Sequence, residues 1–201
     1  MTDLPFSQAC ENNRAPILEV LQTAFADRCH VLEVGSGTGQ HSVYFAPQMP
    51  QLVWQTSELP LHHGGIHAWH TAHPAPNLRV PVELDLRSSA WPSTADGVFD
   101  AAFTANTLHI VAWPLVERLF ALVGSNLPTG GVFAVYGPFN YGSQFTSDSN
   151  RAFDGWLRQR DAASGIRDIE AVAQLAAQHQ LHLLHDHAMP ANNRLLVWKK
   201  L

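Results

Sequence analysis

The 201-residue sequence is poor in cysteine, in formal charge and in long apolar runs, and each shortage closes off a class of protein. Two cysteines, Cys10 and Cys29, are too few and too oddly placed for a disulfide framework or a zinc site, which points to a reducing compartment. Charged residues make up only 14%, and the 12 Lys and Arg nowhere gather into a basic run; against 17 Asp and Glu they leave a net charge of −5. Affinity for nucleic acid rests on cationic contacts to phosphate, so no nucleic-acid partner is expected. No apolar stretch approaches the roughly 20 residues that span a bilayer. The start, Met1 to Pro5, has neither the cationic nor the apolar region of a signal peptide. A cytoplasmic protein with no membrane partner is expected. Hydrophobic residues are plentiful, at 46%, in a length that suits one domain over residues 1–201.

Val31 to His41 reads as a buried strand running into a glycine-rich turn and then a helix. Val31, Leu32 and Val34 supply the apolar run of a strand covered on both faces, and Gly35, Gly37 and Gly39 remove side chains where the backbone bends and approaches a ligand. In a nucleotide-binding α/β sheet the ligand sits beyond the carboxyl ends of the strands, at such a turn. A dinucleotide fingerprint, Gly-x-Gly-x-x-Gly, would place its third glycine at position 40, where Gln40 stands. The spacing found is Glu33-x-Gly35-x-Gly37-x-Gly39; a tight turn without ligand is the bland alternative.

Before the turn, Ile17, Leu18, Leu21 and Phe25 form an apolar stripe at helical spacing, with Pro16 suited to the first turn of that helix. Arg14, just ahead of it, is a candidate for a cofactor carboxylate or a substrate anion, or is simply solvated. A helix from His41 closes at Pro47 and Pro50, and Leu52 to Leu59 is a second strand. Glu58 ends that strand 23 residues past Gly35, where a carboxylate accepts a pair of ribose hydroxyls. His63, His67 and His70 share one helical face, but no Cys or carboxylate is interleaved to complete a first shell, so no metal is expected. Leu78 to Leu86 gives a third strand near a sheet edge, where Pro81 is tolerated, and Val98 to Thr104 a fourth. A helix from Pro114, a fifth strand over 132–136 and a Gly-, Asn- and Ser-rich loop from Gly137 to Ser149 follow. Helices at Asn150 to Arg160 and Asp168 to His179 precede two strands, Leu181 to Ala188 and Arg194 to Lys199. If the last strand turns back antiparallel, the intervening loop hangs over the same edge as the glycine turn.

The acid two positions before the first of three alternate glycines resembles the first motif of class I S-adenosylmethionine-dependent methyltransferases. The order of elements resembles their fold over essentially the whole chain: α/β, Rossmann-like, doubly wound, with a seven-stranded mostly parallel sheet and an antiparallel C-terminal hairpin. A closer resemblance is to the uncharacterised family that includes methyltransferase-like protein 26, carried by Glu11 to Leu18, Gly35 to His41, Asn106 to Ile110, Tyr136 to Phe139, Gly165 to Asp168 and Met189 to Asn193. The resemblance implies S-adenosylmethionine as cofactor. Gly35, Gly37 and Gly39 would lie under its methionine moiety, with Glu33 near the ammonium group. Asp85 would accept from the adenine amino group beside the main chain of Leu86.

Methyl transfer from a sulfonium is an in-line displacement, and a base is needed only where the acceptor cannot lose its proton unaided. His109, just past the fourth strand, is the first candidate base, unless it caps the next helix or is merely buried. Tyr136 would orient the acceptor, Asn106 would contact the methionine end through its carbonyl, and Asn140, Asn192 and Asn193 would line the acceptor pocket. The fourth strand does not end in Asn- or Asp-Pro-Pro-aromatic, the pattern associated with nitrogen methylation, and neither Cys lies at such an edge. A small-molecule acceptor is therefore expected. A nicotinamide-dependent oxidoreductase, against which Gln40 argues, and a non-catalytic cofactor-binding or scaffold subunit are the rivals.

Overall fold

The structure is a computed structural model that describes residues 4–88, 90–93 and 95–201. Its strands are β1 (His30–Val34), β2 (Val53–Glu58), β3 (Leu78–Glu83), β4 (Ala101–Ala105), β5 (Val132–Asn140), β6 (Arg167–Asp168), β7 (Leu181–Met189) and β8 (Asn193–Lys200). The sheet runs β3-β2-β1-β4-β5-β8-β7, with β6 paired to the far end of β5. Neighbours from β3 to β5 are parallel, whereas β8 lies antiparallel to both β5 and β7. This is the class I arrangement expected from the sequence, with the two-residue β6 as an addition.

Both faces are covered, and strand alternation decides which residue goes where. Val31 and Phe103 pack with Ile17 and Leu21 of α1 (Gln8–Ala24) and Phe45 of α2 (Gln40–Phe45). Leu32 and Phe133 pack instead with Phe120 of α4 (Trp113–Asn126) and Val172 of α6 (Ile169–Gln178). Two more helices, α3 (His63–Ala72) and α5 (Asp148–Arg160), come after β2 and β5 in the chain.

Four boundaries differ from expectation. Ser7 caps α1 by accepting from Cys10 N (3.4 Å), so the helix starts two turns earlier and Pro16 lies inside it, where its missing N–H leaves the Asn12 carbonyl without a helical partner. β3 stops at Glu83. β4 begins at Ala101, and the Asp100 carboxylate just before it receives the N–H groups of Cys29 and His30 (3.0 and 2.8 Å), clamping the start of β1. β5 runs on to Asn140, through the stretch expected as loop, because β8 pairs with it as far as Pro138 and β6 continues the pairing at Phe139 and Asn140. Among the described residues no helix is long and apolar enough to cross a membrane.

Candidate functional site

The glycine turn joins β1 to α2, and Gly35 N and Ser36 N both donate to Ser57 O on β2 (3.1 and 3.0 Å). All three glycines have positive φ, +72°, +55° and +87°, but their surroundings separate their duties. A Cβ on Gly35 would come within 3.1 Å of Thr107 Oγ1, and one on Gly39 within 3.1 Å of the Ile66 backbone on α3. At Gly37 a Cβ would meet nothing within 4 Å, since its Cα faces an open cleft. Gly39 therefore serves the seating of α2 on α3 and does not line the cleft, contrary to expectation. Gly39→Ala is expected to cost roughly 1–3 kcal/mol of stability, measured by urea unfolding.

The cleft encloses about 480 Å³ at the carboxyl ends of β1, β2 and β4, within the usual range of small-molecule sites. Gly35, Gly37, Glu58, Asp85, Leu86 and Asn106 all line it. Glu58 accepts from Gly37 N through Oε2 (3.0 Å) and from Leu59 N through Oε1 (2.8 Å), which fixes its carboxylate against the turn. A carboxylate has about four lone-pair sites, so acceptor capacity remains on both oxygens. Asp85 accepts from the main chain and side chain of Arg87, which hold its carboxyl below the ordinary range.

Three expected cofactor and catalytic residues lie elsewhere. Glu33 is buried on the α1 face of the sheet, where its Oε2 accepts from Trp54 Nε1 (2.9 Å); burial pushes its pKa up to about 7. Arg14 is ion-paired with Glu11 (2.8 Å) and stacked over Tyr44, outside the cleft. His109 is buried with its ring against Phe153 and beneath Gly137, and burial, with Arg167 nearby, lowers its pKa to about 4.

A second cavity, about 380 Å³, opens between the start of α1, the end of β5, α5 and the turn before β8. Tyr136 and Asn193 line it, and so do Asn12, Asn13, Asn150 and Phe153, which the sequence reading did not single out. Asn192 is outside the lining, its carbonyl accepting from Asn150 Nδ2 (3.2 Å). Asn140 is buried in β5 with Oδ1 unbonded among the described residues, likewise outside the lining. Between the two cavities stands Asn106, the one described residue that lines both. It holds a left-handed φ of 57°, and its N–H is tied to Tyr136 O (2.8 Å).

The family described as "Protein of unknown function (DUF938)" matches residues 4–200. The chain belongs to that family. In three dimensions the DUF938 chain resembles an O-methyltransferase family 2 protein from Planctomyces limnophilus in complex with apigenin, with a TM-score of 0.84 and 16% identity over 96% of this chain and 58% of the other. An O-methyltransferase family protein from Burkholderia thailandensis gives 0.78 and 15%, covering 92% and 55%. Human N-acetylserotonin methyltransferase in complex with SAM gives 0.71 and 14%, covering 93% and 54%. The DUF938 chain thus has a methyltransferase fold and spans a little over half the length of these structures.

A signal for the missed amides does exist in the DUF938 sequence. Asn13 precedes Ile17 and Leu21 at i, i+4 and i+8, so it is an amide set into the buried stripe of α1. There its Oδ1 meets the Nε2 of buried His41 at 2.7 Å. The histidines of α3 are spread among separate partners, His63 on Glu58 O and His70 on Ser42 Oγ. No three His, Cys, Asp or Glu gather as a metal site among the described residues.

Proposed function

We propose that this chain is a cytoplasmic S-adenosylmethionine-dependent methyltransferase acting on a small-molecule acceptor, and that its kinship extends to the family that includes methyltransferase-like protein 26. The observation that carries the reading is the shared wall at Asn106: a donor in the larger cleft and an acceptor in the smaller would meet there.

The cleft fits the cofactor. Gly37 leaves a hollow that any side chain would fill, Glu58 keeps free lone pairs for a ribose diol, and Asp85 with the main chain of Leu86 offers an edge for adenine. The carbonyl of Asn106 is available to the methionine end. Bound there, S-adenosylmethionine supplies a methyl group on a sulfonium already activated for displacement. The protein's task is then alignment and exclusion of water, and holding two reactants in line supplies about 7–11 kcal/mol. Tyr136 and Asn193 orient the acceptor.

Calorimetry with S-adenosylhomocysteine and with NADH tests the cofactor. Micromolar binding of the first and none of the second is expected, and the reverse would remove the proposal. Incubation with tritiated S-adenosylmethionine and fractionated small molecules from a cell extract then tests catalysis. A labelled fraction is expected; binding without any label would favour the non-catalytic reading.

A further inference from the structure

We propose that the cavity between Asn106 and Tyr136 is built for an uncharged acceptor whose reacting atom carries an acidic proton, a thiol or an acidic hydroxyl that ionises to water by itself and is then held by the Tyr136 hydroxyl. This rests on the methyltransferase reading above and gives it a substrate class.

The first support is what the wall lacks. Its polar side chains are five Asn amides, Tyr136 and Ser149; the rest are apolar, and no Asp, Glu, His, Lys, Arg or Cys is among the described residues that line it. Most ionisable groups on the surrounding elements are engaged or buried elsewhere, and Glu19 on α1 and Asp148 on α5 are exposed. On α1, Glu11 and Arg14 pair with each other, and the Cys10 thiol is pushed up by burial. On α2, His41 is spent on Asn13. On α5, Asp154 pairs with Arg158, and Arg151 stacks over Phe145. On β8, Arg194 pairs with Asp186; past β4, the ring of His109 packs edge-on against Phe153. Burial keeps both histidines neutral down to about pH 4 and holds Tyr136 above its ordinary value, so none of them takes a proton from a bound acceptor at neutral pH.

The second support is the set of groups around the Tyr136 hydroxyl. Asn Oδ1 can only accept, so the 2.7 Å contact makes His41 Nε2 the donor and turns the Asn13 NH₂ away from it. The side chains of Asn13 and Asn193 sit beside the Tyr136 hydroxyl and oppose the effect of burial on it. A phenol has two lone pairs and one proton. The Tyr136 hydroxyl, which lines the cavity, can donate that proton in a hydrogen bond to an occupant that accepts.

An occupant must therefore accept a hydrogen bond and react without a base. An ordinary alcohol does not ionise unaided. An ammonium has no carboxylate here to balance it, and methylation of a neutral ring nitrogen would leave an unpaired cation in the cavity. A thiol, already a few per cent thiolate at pH 7, or an acidic phenol meets both demands. The balance closes: the proton goes to water, the anion's lone pair forms the new bond to the methyl carbon, and the donor's sulfur–carbon bond breaks with its electrons returning to sulfur. One negative and one positive charge become two neutral products.

The experiment measures tritiated methyl transfer from S-adenosylmethionine to 4-nitrothiophenol, 4-nitrophenol, benzyl alcohol and 4-aminopyridine, with the intact chain. Transfer to one or both of the first two, and none to the others, is expected. The rate should rise with pH through the acceptor's own pKa and then level, so a thiol and a phenol of different acidity give displaced profiles. Tyr136→Phe should lower kcat/KM for that acceptor about tenfold while S-adenosylhomocysteine binding, measured by calorimetry, stays intact. Transfer to benzyl alcohol or 4-aminopyridine, one pH profile shared by all acceptors, or no transfer by a chain that binds S-adenosylhomocysteine overturns the inference. Failure to bind S-adenosylhomocysteine at all would strike the cofactor reading instead.

Discussion

Gly37→Val is expected to weaken S-adenosylhomocysteine binding at least 100-fold, about 2.7 kcal/mol, while leaving a folded protein. The two effects separate because the Cβ position at Gly37 is empty in the protein and open to the cleft. A Cβ there meets no protein atom within 4 Å, and the left-handed backbone costs roughly 1–2 kcal/mol. The valine methyl groups then take up the space that the ligand requires. Gly142 provides a matched control, since it shares the φ of +55° and also has nothing within 4 Å, yet lies outside both cavities. Gly142→Val should show a similar loss in urea unfolding and unchanged affinity. Equal affinities for Gly37→Val and the parent chain would place the ligand elsewhere.

The second large effect concerns stability and pH. Burial raises the folded pKa of Glu33 to about 7 from an unfolded value of 4.5. A raised pKa means that the folded state holds the proton more tightly, so the stability linked to it is complete below pH 4.5 and is lost as pH rises through 7. The shift corresponds to roughly 3 kcal/mol. His41 and His109 act in the opposite sense: with folded pKa near 4 they contribute stability above pH 6.5 that is lost as pH falls through 4. The parent chain should therefore be most stable near pH 6 to 7. Glu33→Gln keeps an acceptor for Trp54 Nε1 and removes the charge. Its stability relative to the parent should improve by roughly 2–3 kcal/mol between pH 5 and pH 8 in urea unfolding. A constant difference across that range would show that Glu33 does not titrate there.

The fold was legible because its determinants are local. Val31, Leu32 and Val34 are apolar on both faces, as a central parallel strand requires, and the glycines mark where it turns. The acids at strand ends, Glu58 and Asp85, could be placed because a parallel sheet delivers its carboxyl ends to one edge. What was not legible depends on contacts between distant segments. Glu33 looks like a cofactor acid until Trp54, 21 residues on, claims it. Gly39 looks like a floor glycine until Ile66 closes over it. His109 stands just past β4, as a base would, but Gly137 and Phe153 cover its ring. Asn13 went unnoticed because an amide inside an apolar stripe has no meaning until its partners on α2 and β5 are known.

The two outermost strands carry one last consequence. β3 contains Pro81 and an irregular register against β2, patched by Gln55 and Thr56 side chains on its carbonyls. β7, at the opposite border, interleaves His182, His185, Asp186 and His187 and breaks register between Leu183 and His185. A flat, apolar border would recruit a strand from another molecule and grow into a fibril; a proline, a kink and ionisable side chains make that stacking unprofitable. The histidines of β7 thus work against self-association of the sheet.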